Sequence, residues 1–175
     1  MIMVSIESLV ISLMPAPSIL TLKPNEHRDG IPEDQILPIW IGSMESTAIA
    51  AALEDKNTER PLTHQLALDL VSSVGGSISR VVIDRVEGTV FFATIYVRCP
   101  NGMFTRVDAR PSDAIALAIR ANVPLFVEED VFRAAACPRS FTPGQDERIE
   151  LEEFDKFIEH VEPEDFVSHE NPDNG

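Results

Sequence analysis

Ser112-Asp113-Ala114-Ile115-Ala116-Leu117-Ala118-Ile119 (SDAIALAI) repeats Ser46-Thr47-Ala48-Ile49-Ala50-Ala51-Ala52-Leu53 (STAIAAAL) at an offset of 66, with five of eight positions identical. Each segment follows three strand-like runs and precedes a second helical stretch. The shared order of elements favours a duplicated β-β-β-α-α unit over a chance match of alanine-rich helices. Alanines at both places let each helix lie close against a sheet.

Working outward, residues 2–13, 18–23 and 36–41 read as strands, the first alternating Ile2, Val4 and Ile6 with Ser5 and Glu7. Gly42-Ser43 breaks the third run, and Ala48, Ile49, Ala52 and Leu53 supply a helical stripe. Thr63 is the expected N-cap of a second helix carrying Leu66, Leu70 and Val74 at spacings of four, and Gly75-Gly76 ends it. Residues 78–86, 90–98 and 104–109 form a predicted meander, with Asn101-Gly102 as a two-residue hairpin. A helix over 113–121, a short strand over 124–127 and a helix over 129–136 complete this part. The expected class is α+β: mostly antiparallel sheets with helices packed against them. Packing of the repeated units sheet to sheet would bring their helix starts together.

Composition shifts after Arg139, and Pro143-Gly144 marks a linker. Residues 1–140 are expected to form one domain. Residues 141–167 form an acidic extension with an amphipathic helix at 146–161, and 168–175 a disordered tail. Leu151, Phe154, Ile158 and Val161 make that helix a candidate contact for a protein partner or for its own domain. Of the formal charge of −15, the last 35 residues contribute −10 and the first 140 contribute −5. Such a field opposes general polyanion binding. No basic patch with interleaved aromatic residues is evident along the sequence. The apolar first twenty residues lack a basic start and contain Glu7, so no secretion signal is expected. No uncharged run reaches membrane-spanning length. Cys99 and Cys137 make no ligand-spaced pair and fit a reducing cytoplasm.

Three groups carry chemistry-bearing residues. In Asp108-Ala109-Arg110-Pro111-Ser112-Asp113, Ser112 is the expected N-cap, Asp113 sits at the positive end of a helix dipole, and Pro111 holds Arg110 extended. Strand alternation then places Asp108 and Arg110 on one side, as an ion pair or as reactive groups. In Arg60-Pro61-Leu62-Thr63-His64, the histidine falls on a first helical turn, where the dipole favours neutral imidazole suited to base or ligand work. Glu45, aligned with Pro111 in the repeat, precedes the first helix. If the three helix starts converge, their N–H groups with Arg60, Arg110, Ser112 and Thr63 would hold phosphate. Asp108, Asp113 and Glu45 would then be available for Mg2+ or Mn2+. No motif forces a metal, and GxSxG, GxxxxGK[ST] and GxGxxG are absent.

The runs LPIWIGSMESTAIAAAL, RPLTHQLALDLVSSVGG and VDARPSDAIALAIRANVPLFVEEDVF closely resemble the bifunctional nuclease domain family, over about Met1 to Ala136. The final VEPEDF helix resembles an extension of bacterial members. The resemblance implies a repeated three-strand, two-helix α+β fold, self-association as a dimer, and cleavage of both RNA and DNA. By motif position it carries over Glu45, Arg60, His64, Asp108, Arg110 and Asp113. The expected function is metal-assisted hydrolysis of RNA and DNA phosphodiester bonds with little sequence preference, Mg2+ or Mn2+ being the candidate ions. His64, Asp108, Arg110 and Asp113 would be catalytic, and Arg60, Arg110, Ser112 and Thr63 would grip substrate. The alternative is a non-catalytic module that recognises a small anionic ligand or a protein partner. The chain is more acidic than its resemblance to a nuclease suggests.

Overall fold

A computed structural model of the chain describes residues 1–12, 16–27, 30–54 and 59–140. The expected helix at 146–161 and tail at 168–175 lie outside the described residues. Alternating apolar residues build β1 (Ile2–Val10), and nearly continuously buried runs build β2 (Ser18–Pro24) and β3 (Gln35–Ile41), followed by α1 (Ser43–Leu53) and α2 (Thr63–Ser73). A second set follows as β4 (Ser77–Glu87), β5 (Val90–Arg98), β6 (Phe104–Ala109) and α3 (Pro111–Ala121). The short elements β7 (Leu125–Val127), α4 (Glu129–Ala135) and β8 (Cys137–Pro138) close the described chain. Among the described residues no helix is long and apolar enough to cross a membrane.

The two meanders do not face each other as stacked sheets. They join edge to edge in one eight-stranded sheet of order β6-β5-β4-β7-β1-β2-β3-β8. The link is β7, which pairs antiparallel with Ile2–Val4 of β1 and parallel with Val81–Ile83 of β4. Three apolar residues suffice because both edges are hydrogen-bonded and Leu125 and Val127 are buried. Every other pairing is antiparallel.

This topology positions the helices. Each meander runs outward from β7, so the helix after its third strand must return across the core face to bury its apolar side. The two returning helices, α1 and α3, therefore pack against each other, and α2 packs on α3. Burial follows the repeat: Ser46, Ile49 and Ala52 of α1 match Ser112, Ile115 and Ala118 of α3, all six buried. Small residues between Ile49 and Ile115 let the backbones approach, while each buried isoleucine contributes about 2 kcal/mol. Helix α3 stops at Asn122, whose left-handed backbone (φ 52°, ψ 48°) lets the Val123 N–H reach the Ala118 carbonyl at 3.0 Å.

Two local expectations shift. In the β5–β6 connection the Gly102 N–H donates to the Cys99 carbonyl, and only Gly102 has positive φ (81°). The turn is thus centred on Pro100-Asn101 with Gly102 as the bulge residue, not on Asn101-Gly102. The helix starts also move. The N-cap position of α3 is Arg110, with Pro111 first in the helix, and that of α2 is Leu62. Proline's fixed φ suits the first helical position, which pushes Ser112 inside. Thr63 is likewise already helical, and no side chain caps either helix.

Candidate functional site

The edge-to-edge sheet still brings three helix starts together. Glu45 and Asp113 are each the third residue of their helices, after N-cap positions Gly42 and Arg110. By burial Glu45 aligns with Pro111, but by place in the helix it is the counterpart of Asp113. Two equivalent carboxylates therefore meet where α1 and α3 begin. Helix α2 brings His64, its second residue, to the same place.

Four side chains form one continuous network. Arg110 donates from Nε to Asp113 Oδ2 at 2.8 Å and from Nη2 to Oδ1 at 3.3 Å. Its Nη1 donates to Glu45 Oε1 at 2.9 Å, across 65 residues of sequence. His64 Nε2 lies 3.1 Å from Asp113 Oδ1. Because an ionised carboxylate only accepts, Nε2 carries the proton and Nδ1 of the neutral ring is left as an acceptor. The Arg110 side chain is 66% exposed, Asp113 33% and His64 16%, so the network opens to solvent at its arginine.

Partial burial of Asp113 opposes its ionisation. The hydrogen bonds from Arg110 and from His64, together with the adjacent guanidinium charge, outweigh it, holding the carboxyl below the ordinary aspartate value. Arg110 is pushed above its usual value, chiefly by its hydrogen bond to Asp113. The network is thus an anion–cation–anion arrangement with an imidazole at one end. A guanidinium has five N–H groups. Three are occupied here, leaving two that can serve a further acceptor.

The other expected residues stand elsewhere. Strand β6 ends at Ala109, so alternation does not extend to Arg110. Asp108 pairs across the ladder with Thr94, on the face opposite buried Ala93. The expected Asp108–Arg110 pair is replaced by Arg110–Asp113, and no hydrogen bond or ion pair ties Asp108 to the network. Arg60 and Thr63 are exposed on the approach to α2, and Ser112 is buried. Among the described residues no three metal-ligating side chains gather. Asp108, opposite Thr94 in the ladder, stands apart from Glu45 and Asp113, so the three carboxylates do not gather around one divalent cation. A separate hollow of about 140 Å3, lined by Lys23, His27 and Arg139 among others, lies at the far end of β3 from Glu45.

Gly42, which sequence reading treats only as a break, matters to the network. A Cβ there would collide with Glu45 Oε2. The Gly42 backbone (φ −67°, ψ 162°) accepts alanine, and the colliding atom is the mobile end of a side chain. We expect Gly42→Ala to shift the melting temperature by no more than a few degrees while uncoupling Glu45 from Arg110. A crystal structure of the variant with the 2.9 Å contact intact would contradict this.

Residues 28–140 match the bifunctional nuclease domain. The chain is 39% identical over 142 residues to an uncharacterised protein of Mycobacterium tuberculosis H37Rv, an alignment covering 76% of this chain and 82% of that protein. It is 31% identical over 96 residues to bifunctional nuclease 2 of Arabidopsis thaliana, covering 54% of this chain and 29% of the plant protein. Bifunctional nuclease 1 of the same plant is 28% identical over 96 residues, or 54% of this chain and 30% of that protein.

Proposed function

Because the chain belongs to the bifunctional nuclease domain family, we propose that it hydrolyses phosphodiester bonds of RNA and DNA at the Glu45–Arg110–Asp113–His64 network. The observation that carries this reading is the Arg110–Asp113–His64 relay at 2.8 and 3.1 Å. It sets a phosphate-binding cation and an oriented imidazole against one carboxylate. Asp113 holds the Nε2–H of His64, so Nδ1 takes a proton from water. The resulting hydroxide adds to phosphorus, the P–O bond to the other nucleotide breaks, and that oxygen takes up a proton from solvent. Arg110 balances the charge gathering on the phosphoryl oxygens, and Glu45 fixes its fork. No step passes through a metal ion.

The test is cleavage of fluorophore-quencher oligonucleotides of single-stranded RNA and DNA, with EDTA and with Mg2+ or Mn2+. His64→Ala and Asp113→Asn proteins are purified in parallel. Cleavage by the wild type in EDTA, lost in both variants, is expected. Equal cleavage by all three proteins would overturn the assignment of the site. Activity only with a divalent cation would overturn the metal-independent step.

A second reading has one observation in its favour: the four side chains largely satisfy one another, as in a clasp joining α1, α2 and α3. On that reading the chain is a binding module for a small anion or a protein partner, and the variants would change stability without abolishing a cleavage activity.

Self-association as a dimer belongs to the same proposal. Helix α2 buries none of its residues fully, and Leu62, Leu66, Leu70 and Val74 form an exposed stripe, with Val74 72% exposed. A Leu66→Asp/Leu70→Asp protein is expected to elute as a monomer where the wild type is a dimer by light scattering. An unchanged mass would exclude this face. Two free cysteines, Cys99 and Cys137, support a reducing, cytoplasmic setting.

A further inference from the structure

The outer face of the second meander gathers residues that are scattered in sequence. Cross-strand pairing puts Arg80, Tyr96 and Arg106 in one row across β4, β5 and β6. The adjacent row is Ser77, Arg98 and Phe104. Directly paired residues share a face, and this one lies opposite buried Val81, Ala93 and Ile95. Residues 77–110 carry five arginines against three carboxylates, a local +2 in a chain of −15.

The cations at this end of the face are available. Arg85 is paired with Glu87 at 2.8 Å, and Asp84 accepts the Thr94 hydroxyl at 2.5 Å. Among the described residues no ion pair joins Arg80, Arg98 or Arg106 to a carboxylate. Arg98 and Arg106 are exposed, and so is Phe104 at 57%. The Arg80 guanidinium lies over the Tyr96 ring, its Cζ 3.9 Å from the centroid. This stack presents a planar cation held in place, with its Nε buried against the protein and without a partner.

We propose that this surface binds single-stranded nucleic acid, with phosphates on Arg98 and Arg106 and bases stacked on Phe104 and on the Arg80–Tyr96 pair. An aromatic ring beside unpaired arginines on an antiparallel sheet suits unstacked bases joined by phosphates. A duplex keeps its bases inside and would offer Phe104 only sugar and phosphate. The net charge of −15 also disfavours any partner held by charge alone. Arg106 lies three residues before the end of β6 at Ala109, about 10 Å of extended strand, and Arg110 follows directly. A chain lying along β6 therefore reaches the network after a few nucleotides. The assignment names a substrate path for the nuclease reading and rests on it for that role, but the binding itself does not require cleavage.

The experiment is fluorescence anisotropy with labelled 15-mers of dT and rU, using the full chain carrying His64→Ala so that the probes stay intact. Competitors are an abasic 15-mer, a 15-base-pair duplex and poly-glutamate. Binding of both single strands is expected, with the three competitors at least about tenfold weaker. With two phosphate contacts, log affinity against log salt should slope at about −1.4, and Arg98→Gln/Arg106→Gln should remove nearly all of it. Phe104→Ala should weaken binding about tenfold. Phe104→Leu keeps the packing without the π face and should weaken it similarly at unchanged melting temperature.

No binding at 20 mM salt would overturn the inference, as would equal competition by poly-glutamate or unchanged affinity in the arginine and phenylalanine variants. Binding lost in these variants while the wild type shows no cleavage would leave this surface standing and remove the nuclease reading. Cleavage by His64-intact protein with no binding at this face would do the reverse.

Discussion

His64→Ala is expected to lower the cleavage rate by about 10²- to 10⁴-fold, the usual contribution of a positioned general base. The position is held twice over, by helix α2 and by the 3.1 Å contact from Nε2 to Asp113. His64→Gln separates the two roles. A glutamine can still donate to the carboxylate, but it offers no nitrogen that takes up a proton near neutral pH. It should keep the wild-type melting temperature and fall to the alanine rate. Stopped-flow or quenched-gel rates beside thermal melts of the three proteins check this. Glutamine activity near wild type would mean that His64 is a structural donor only.

Arg110→Ala is expected to cost about 10²- to 10³-fold in rate, in line with removal of a preorganised donor at a developing oxyanion. Its effect on stability should be small, because exposed ion pairs contribute about 0–1 kcal/mol and the Arg110 side chain is 66% exposed. The contrast decides between a clasp and a reaction centre. A clasp predicts some loss of stability and no loss of rate, and a reaction centre predicts the opposite. Arg110→Lys should not rescue. A lysine restores the charge, but a single ammonium cannot reproduce a fork that holds Asp113 through Nε and Nη2 while Nη1 holds Glu45. Chemical unfolding together with initial rates for both variants tests this, and wild-type rates with lysine would show that point charge suffices.

Much of the fold is legible in the sequence because its signals are local. Strands β5 and β6 fall where alternation puts them, although the turn between them is centred on Pro100-Asn101 and not on the expected Asn101-Gly102. The SDAIALAI echo identifies α1 and α3 as equivalent because burial at Ser46, Ile49 and Ala52 repeats at Ser112, Ile115 and Ala118. Three-residue β7 reads as a short strand, but no local signal shows that it is inserted between the two meanders. Its neighbours are fixed by pairing with Ile2–Val4 and Val81–Ile83, which are distant in sequence.

The candidate site is legible as a set of residues but not as a set of pairs. Glu45, His64, Arg110 and Asp113 converge. Expecting Asp108 to partner Arg110 carries strand alternation one residue too far, because Pro111 starts a helix and turns Arg110 off the sheet. Asp113 serves as a favourable charge at a helix start and also as the hub of the network. A helix-capping argument alone accounts for its presence and hides the second role. The Arg110–Asp113 spacing of three across the helix start was the available signal. The arginine–aromatic rows of the outer face were invisible for another reason: Arg80, Tyr96 and Arg106 become neighbours only through the registers of β4, β5 and β6.

The central claim is that His64 and Arg110, joined through Asp113, act as one reaction centre. Single-turnover cleavage by wild type, His64→Ala, Arg110→Ala and the double variant tests it most directly. Groups that act as a unit give strongly non-additive losses. The account predicts that each single variant loses at least about 100-fold, and that the double variant is within about threefold of the slower single one. Losses that multiply in the double variant, or single variants that cleave like the wild type, would contradict it.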